Sequence, residues 1–192
     1  THEAVRSWEE IYAPLITQHL RIRRKGRLGM SWYVDETYIK VKGKCCYLYR
    51  AVDRSGRLVD CRLSEHRDMR AAKPFFKEAL EMSGDAPDRV TTDKEVSYPR
   101  AIREELGGDV LHRTKQYLNN LIEQDHRGIK QRYGPMKGFK SLESASRFCR
   151  AHDELRNYYK AGKRGEKVSL KQQRVSYLKK SLDLTNSVRL SS

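Results

Sequence analysis

The sequence predicts one α/β domain: a mixed five-stranded sheet that opens with a three-stranded antiparallel meander and carries helices on both faces. Three observations predict it. Residues 32–64 hold three runs rich in β-branched and aromatic side chains, broken at Lys42-Gly43-Lys44 and Asp53-Arg54-Ser55-Gly56, which is a meander pattern. Beyond residue 69 the hydrophobic period alternates between helical and extended, in the order α, β, α, β, α, α. The length of 192 residues suits one ordinary domain with its own apolar core.

Taken in order, residues 1–20 read as a helix. Ala4, Val5, Trp8, Ile11 and Tyr12 recur at three- to four-residue spacing, and Thr1 can cap the N-terminus. One reading seats this helix on the core through Trp8, Ile11 and Tyr12. Residues 21–30 follow as a basic linker: Arg21, Arg23, Arg24, Lys25 and Arg27 come with no acid between them. Such a run reads either as an arm lying on phosphates or as a solvated charge cluster. Trp32–Val41, Cys45–Val52 and Leu58–Leu63 are the meander strands. Residues 70–83 read as a helix closed by Gly84, and Arg89–Thr92 as a short strand entering Asp93. Residues 98–106 look helical, ended by Gly107-Gly108; Val110-Leu111 is a fifth, brief strand. A helix over 119–132 stops at Gly134-Pro135, and a last one runs from about Ser141 to Tyr159. Residues 161–192 read as a basic, polar tail, with no usable pattern over 181–192. The chain opens at Thr1 without an initiator Met, from which a fragment is expected.

Charge narrows the class of partner. Lys+Arg total 40 against 25 Asp+Glu, giving +15 and a sequence pI near 9.8. A surface that basic attracts polyanions, nucleic acid first and an anionic membrane surface second. No apolar run approaches the ~18 residues that a membrane span needs, and no apolar stretch follows a basic start as in a secretory leader. The four cysteines, Cys45, Cys46, Cys61 and Cys149, lack Cys-x-x-Cys spacing, so they read as reduced thiols rather than a zinc or disulfide frame.

Three carboxylates stand at special places. Asp35 lies inside the first strand among Tyr33, Val34, Thr37, Tyr38 and Ile39, where an acid is costly unless paired or metal-bound. Asp93 ends the fourth strand, and groups at the carboxyl ends of strands face the ligand crevice of an open α/β sheet. Glu123 sits on the helix after the fifth strand. Were the first and fourth strands neighbours, the three acids would converge. Converging carboxylates repel unless a cation joins them, and oxygen donors favour Mg²⁺ or Mn²⁺. Two such ions about 4 Å apart clamp an in-line phosphoryl transfer. Lys130 follows Glu123 by seven residues, two helical turns, so the two share a face with His126 between them. Plainer readings stand beside these: Asn120 and Glu123 form a capping pair, Asp93 caps the next segment, and Lys130 is a solvated lysine. Other recombination chemistries fit poorly. No histidine has an arginine three residues on, no His-x-His pair occurs, and there is no Gly-x-x-x-x-Gly-Lys loop.

The run Trp32-Tyr-Val-Asp35-Glu-Thr-Tyr-Ile-Lys-Val-Lys-Gly43, then Tyr47-Leu-Tyr-Arg-Ala-Val-Asp53, Thr92-Asp93-Lys94, and Asn119-Asn-Leu-Ile-Glu123-Gln-Asp-His126-Arg-Gly-Ile-Lys130 closely resembles the DDE transposases of the bacterial IS6/IS26/IS240 insertion-sequence family. The resemblance spans roughly residues 1–160. It implies an RNase H-like catalytic domain over 31–160, with Asp35, Asp93 and Glu123 as metal-binding triad for two Mg²⁺ (or Mn²⁺) ions. It implies DNA strand transfer, with terminal inverted repeats and target DNA as partners, a homodimer or larger assembly on DNA, and a place on DNA in a bacterial cytoplasm. Residues 1–20 resemble the last helix of a helix-turn-helix, with Arg6 facing the major groove. Lys130, Arg132 and the basic stretch Arg21, Arg23, Arg24 and Lys25 would contact phosphates. A cleavage-only RNase H-like nuclease and a non-catalytic DNA-binding remnant remain as alternatives.

Overall fold

The structure is a computed structural model, and it describes residues 1–93, 95–114, 120–160 and 169–189. Strands β1 (Ser31–Val41), β2 (Lys44–Asp53) and β3 (Leu58–Ser64) form the antiparallel meander. The β1–β2 turn needs positive φ at both central residues, and Lys42 (50°) and Gly43 (78°) supply it, as tight hairpins of this hand require. Helix α2 (Met69–Ser83) leads to β4 (Arg89–Thr92), and α3 (Tyr98–Glu105) to β5 (Leu111–Thr114). Both β4 and β5 add in parallel, giving the order β3-β2-β1-β4-β5. Helices α4 (Asn120–Tyr133) and α5 (Leu142–Tyr159) follow, then α6 (Leu170–Arg189).

Period-two alternation along β1 and β2 sorts the core into two layers. Trp32 and Val34, with Tyr49 and Ala51, pack against Phe75 and Phe76 of α2 and Tyr98, Ala101 and Ile102 of α3. Ile39, Val41 and Leu48 face the other way, onto Ile129 of α4 and Ala145 and Cys149 of α5. Helices therefore cover both faces, and Asp35, an odd-numbered neighbour of Ile39, belongs to the α4 face. All four cysteines are free thiols, and no described helix is long and apolar enough to cross a membrane.

Three expectations need correction. Helix α1 spans His2–Arg24 without a break at residue 20, so the stretch expected to be a linker starts as helix. Its spacing is helical as read, but its direction is not: Trp8, Ile11 and Tyr12 are exposed, while Thr17 and Leu20 are buried. Arg21 and Arg24 fix this orientation. They lie three residues apart on one face, and Arg21 grips the buried Asp60 at 2.5 and 3.0 Å while Arg24 grips the buried Glu154 at 2.6 and 2.7 Å. Finally, the tail is not featureless. Residues 161–168 lie outside the described segments, but α6 packs Leu184 inward, and its Asp183 accepts from the Tyr158 hydroxyl and from Arg23.

Candidate metal centre and nucleic-acid interface

The parallel pairing of β1 with β4 builds the site. Trp32 pairs with Val90 and Tyr33 with Thr91, so two residues further on Asp35 and Asp93 come side by side at the end of β4. One carboxylate oxygen from each of Asp35, Glu36 and Asp93 lies within 4.8 Å of the others. All the donors are carboxylate oxygens, the set a hard divalent cation prefers. The electrostatics agree. Burial, then the Glu36 and Asp93 charges, push the Asp35 carboxyl up to about 7, and Glu123 adds to the push. A cation placed there would relieve that repulsion, so these residues fit a divalent metal.

Glu36 is the member that sequence reasoning missed. Adjacent strand residues point to opposite faces, and Glu36 turns toward the α2–α3 layer, where it accepts hydrogen bonds from the Tyr98 hydroxyl and from Arg67. Arg67 also reaches Glu95 at 3.1 Å and Asp93 at 3.8 Å. Glu36 is thus already partnered, whereas Asp35 accepts, among the described residues, a hydrogen bond only from its neighbour's amide, Glu36 N–H at 2.9 Å. Asp93 caps the turn after β4 as its plainer reading expects, taking the Glu95 amide at 3.1 Å. One oxygen does this while the carboxylate still joins the cluster.

Helix α4 supplies the third side. Glu123 is exposed in its first turn and lies outside the tight three-residue cluster, yet its charge is felt at Asp35. The Asn120 side chain, on which the capping reading of Glu123 depends, is outside the described residues. One turn on, His126 is buried, with Nδ1 3.8 Å from an Asp35 carboxylate oxygen. Burial, then the Arg50 and Lys130 charges, push His126 down to about 3. It is neutral at ordinary pH, so its contact with Asp35 is not an ion pair. Lys130 and Arg132 are exposed further along α4.

The remaining expected DNA contacts divide. Arg6 and Lys25 are exposed on α1 and its C-terminal cap. Arg21 and Arg24 are committed to buried acids, while Arg23 is exposed and pairs with the equally exposed Asp183 at 2.6 Å. The charge run was legible, but its acidic partners lie 39 to 160 residues away.

An antiparallel meander joined to two parallel strands, with acids at the β1–β4 junction, defines an RNase H-like core. Solved structures agree on the fold. The HTLV-2 integrase catalytic core domain in complex with magnesium superposes with a TM-score of 0.52 at 16% identity, covering 78% of this chain and 99% of that one. A chain of the simian T-cell lymphotropic virus intasome, in complex with a PP2A regulatory subunit, gives 0.52 at 15%, covering 78% and 54%. A transposase DDE domain family, that of IS240, matches residues 29–162. Transposases of the insertion sequence-like element IS431mec and of IS257 in transposon Tn4003, both from Staphylococcus aureus, are 36% identical over 171 residues, 87% of this chain and 74% of theirs. The chain belongs to the IS240-type family of DDE transposases, and its function is that of a DNA transposase.

Proposed function

We propose that Asp35, Asp93 and Glu123 form the catalytic and metal-binding triad, that Mg²⁺ or Mn²⁺ is the cofactor as a pair of ions, and that terminal inverted repeats and target DNA are the substrates. The observation that carries this reading is the meeting of Asp35 and Asp93 from adjacent parallel strands, with Asp35 raised toward neutrality. Asp35 and Asp93 would hold one ion between them, and Glu123, arriving from α4, would complete the second position. Bound there, a metal pair lowers the barrier to phosphodiester exchange by activating the attacking oxygen and stabilising the leaving one.

The chain's own groups do the rest. Arg67 and the Tyr98 hydroxyl keep Glu36 turned to the opposite face, which leaves Asp35 and Asp93 as the donors that open toward α4. Neutral His126 packs against Asp35 without competing as a cation. Lys130 and Arg132, exposed on the same helix as Glu123, would hold DNA phosphates beside the reacting one. A homodimer or larger assembly on DNA completes the proposal.

The test is a strand-transfer assay with labelled terminal-repeat DNA and Mg²⁺. Wild type is expected to join DNA, and Asp35→Asn, Asp93→Asn and Glu123→Gln to bind it equally well without joining. Four proteins of equal activity would refute the triad. Strand breaks without joining would favour the nuclease, and Mg²⁺-independent binding alone the remnant.

A further inference from the structure

The α4 face of the sheet holds a buried charge cluster that the proposed chemistry does not use. Arg50 of β2 is 1% exposed, and it lies directly across from Asp35 in the β1–β2 register. Its Nη2 donates to Asp125 of α4 at 2.5 Å and its Nε to Asp153 of α5 at 2.7 Å. Asp125 accepts a second bond from Arg156 of α5. Arg50 Nη1 is buried with no hydrogen-bond partner among the described residues.

Stability alone does not explain such a cluster. Burying charges costs desolvation, and well-packed apolar residues often do as well or better. What paired charges add is direction. The apolar contacts of α4, Ile122 and Ile129, tolerate small rotations and slides, whereas Asp125 meets Arg50 in a single register. Asp125 follows Glu123 by two residues and precedes His126 by one. A one-residue shift of an α-helix turns its side chains by about 100°, enough to carry Glu123 away from Asp35. Gly128 points the same way. A Cβ there would sit 2.6 Å from Arg156 Nε, so a larger residue at this point of α4 would displace the Arg156 side chain that reaches across to Asp125.

We propose that Arg50, with Asp125 and Arg156, is the positioning device that sets α4 in register against the sheet and so delivers Glu123 to the Asp35–Asp93 pair. Arg50 is a positioning residue, acting through Asp125. The proposal rests on the triad reading above, and the experiment separates the two.

Binding of Mn²⁺ alone to the full chain is followed by the electron paramagnetic resonance of free Mn²⁺, with thermal unfolding of each variant as the control. Wild type binds; Asp35→Asn binds far more weakly. Asp125→Asn is expected to weaken Mn²⁺ binding about as much as Glu123→Gln does. The double variant with Glu123→Gln is expected to bind no more weakly than Glu123→Gln alone, because both changes remove the same ligand. Asp153→Asn, more deeply buried and on α5, leaves the Arg50–Asp125 bond in place and is expected to stay near wild type. Gly128→Ala crowds Arg156 without removing a charge, and it carries the test if Asp125→Asn does not fold. It is expected to weaken binding in the same way. If Asp35→Asn weakens binding but a folded Asp125→Asn or Gly128→Ala binds as wild type does, the positioning role is overturned. Losses that add to that of Glu123→Gln, or that Asp153→Asn matches, also overturn it. If wild type binds no Mn²⁺, or Asp35→Asn binds as tightly as wild type, the triad reading falls and this proposal with it.

Discussion

Replacing Asp35 with Asn is expected to destroy strand transfer and, at the same time, to stabilise the metal-free protein. Burial and the Glu36 and Asp93 charges raise its carboxyl from 3.8 to about 7. A gap of one pH unit corresponds to about 1.4 kcal/mol, so the ionised carboxylate opposes folding by up to about 4 kcal/mol. The sign follows from proton binding. Between pH 4 and 7 the folded chain holds a proton at Asp35 that the unfolded chain has lost. This group's contribution therefore falls as pH rises through that window, is absent below it, and is constant above it. The Asn side chain cannot ionise and keeps an oxygen for the Glu36 amide. A gain of about 2 kcal/mol at pH 8, half the ceiling, raises Tm by on the order of 5 °C for a chain of this size. The assay is differential scanning calorimetry of wild type and Asp35→Asn in EDTA at pH 8 and pH 4.5. The gain is expected at the higher pH and largely lost at the lower. Mg²⁺ should then stabilise wild type alone, through mass action on the folded state. An Asp35→Asn protein that melts below wild type at pH 8, or a gain of equal size at both pH values, would refute the electrostatic account of the site.

Two further predictions concern the basic residues. Arg24→Ala leaves the buried Glu154, among the described residues, with only the 3.5 Å approach of Arg21, and breaking a buried pair costs about 3 kcal/mol. Thermal unfolding should register that loss, while the slope of log DNA affinity against log salt stays at its wild-type value. Lys130→Ala should do the opposite, reducing the salt slope by about one with Tm unchanged; an unaltered slope would remove Lys130 from the DNA interface.

Much of this molecule is readable one segment at a time. The meander is local: alternation over 31–64 with turn residues at 42–43 and 53–56 leaves few other arrangements, and the observed strands match it within a residue or two. The helices after β3 are likewise written in their own period and stops. Glu36 is the counterexample within the site. Alternation sends it to the face opposite Asp35, but only Tyr98 and Arg67, 62 and 31 residues on, decide that it is the partnered acid. Helix α1 fails for a related reason. Its apolar spacing fixes a helix but not which side is inward, and the buried acids Asp60 and Glu154 outweighed Trp8, Ile11 and Tyr12 by drawing Arg21 and Arg24 toward the domain.

By itself, then, the order of residues determined the elements up to α5, the sheet's opening half, the basic character and the kinship of the motifs, but not α6, because propensity, alternation and turn chemistry act over a few residues. Only the folded chain decided which charges meet. Parallel pairing of β1 with β4 set Asp93 beside Asp35, and Arg50 found Asp125 and Asp153 across 75 and 103 residues. Electrostatic interaction depends on distance through space and on exclusion of water, and neither is written in the spacing of residues along the chain.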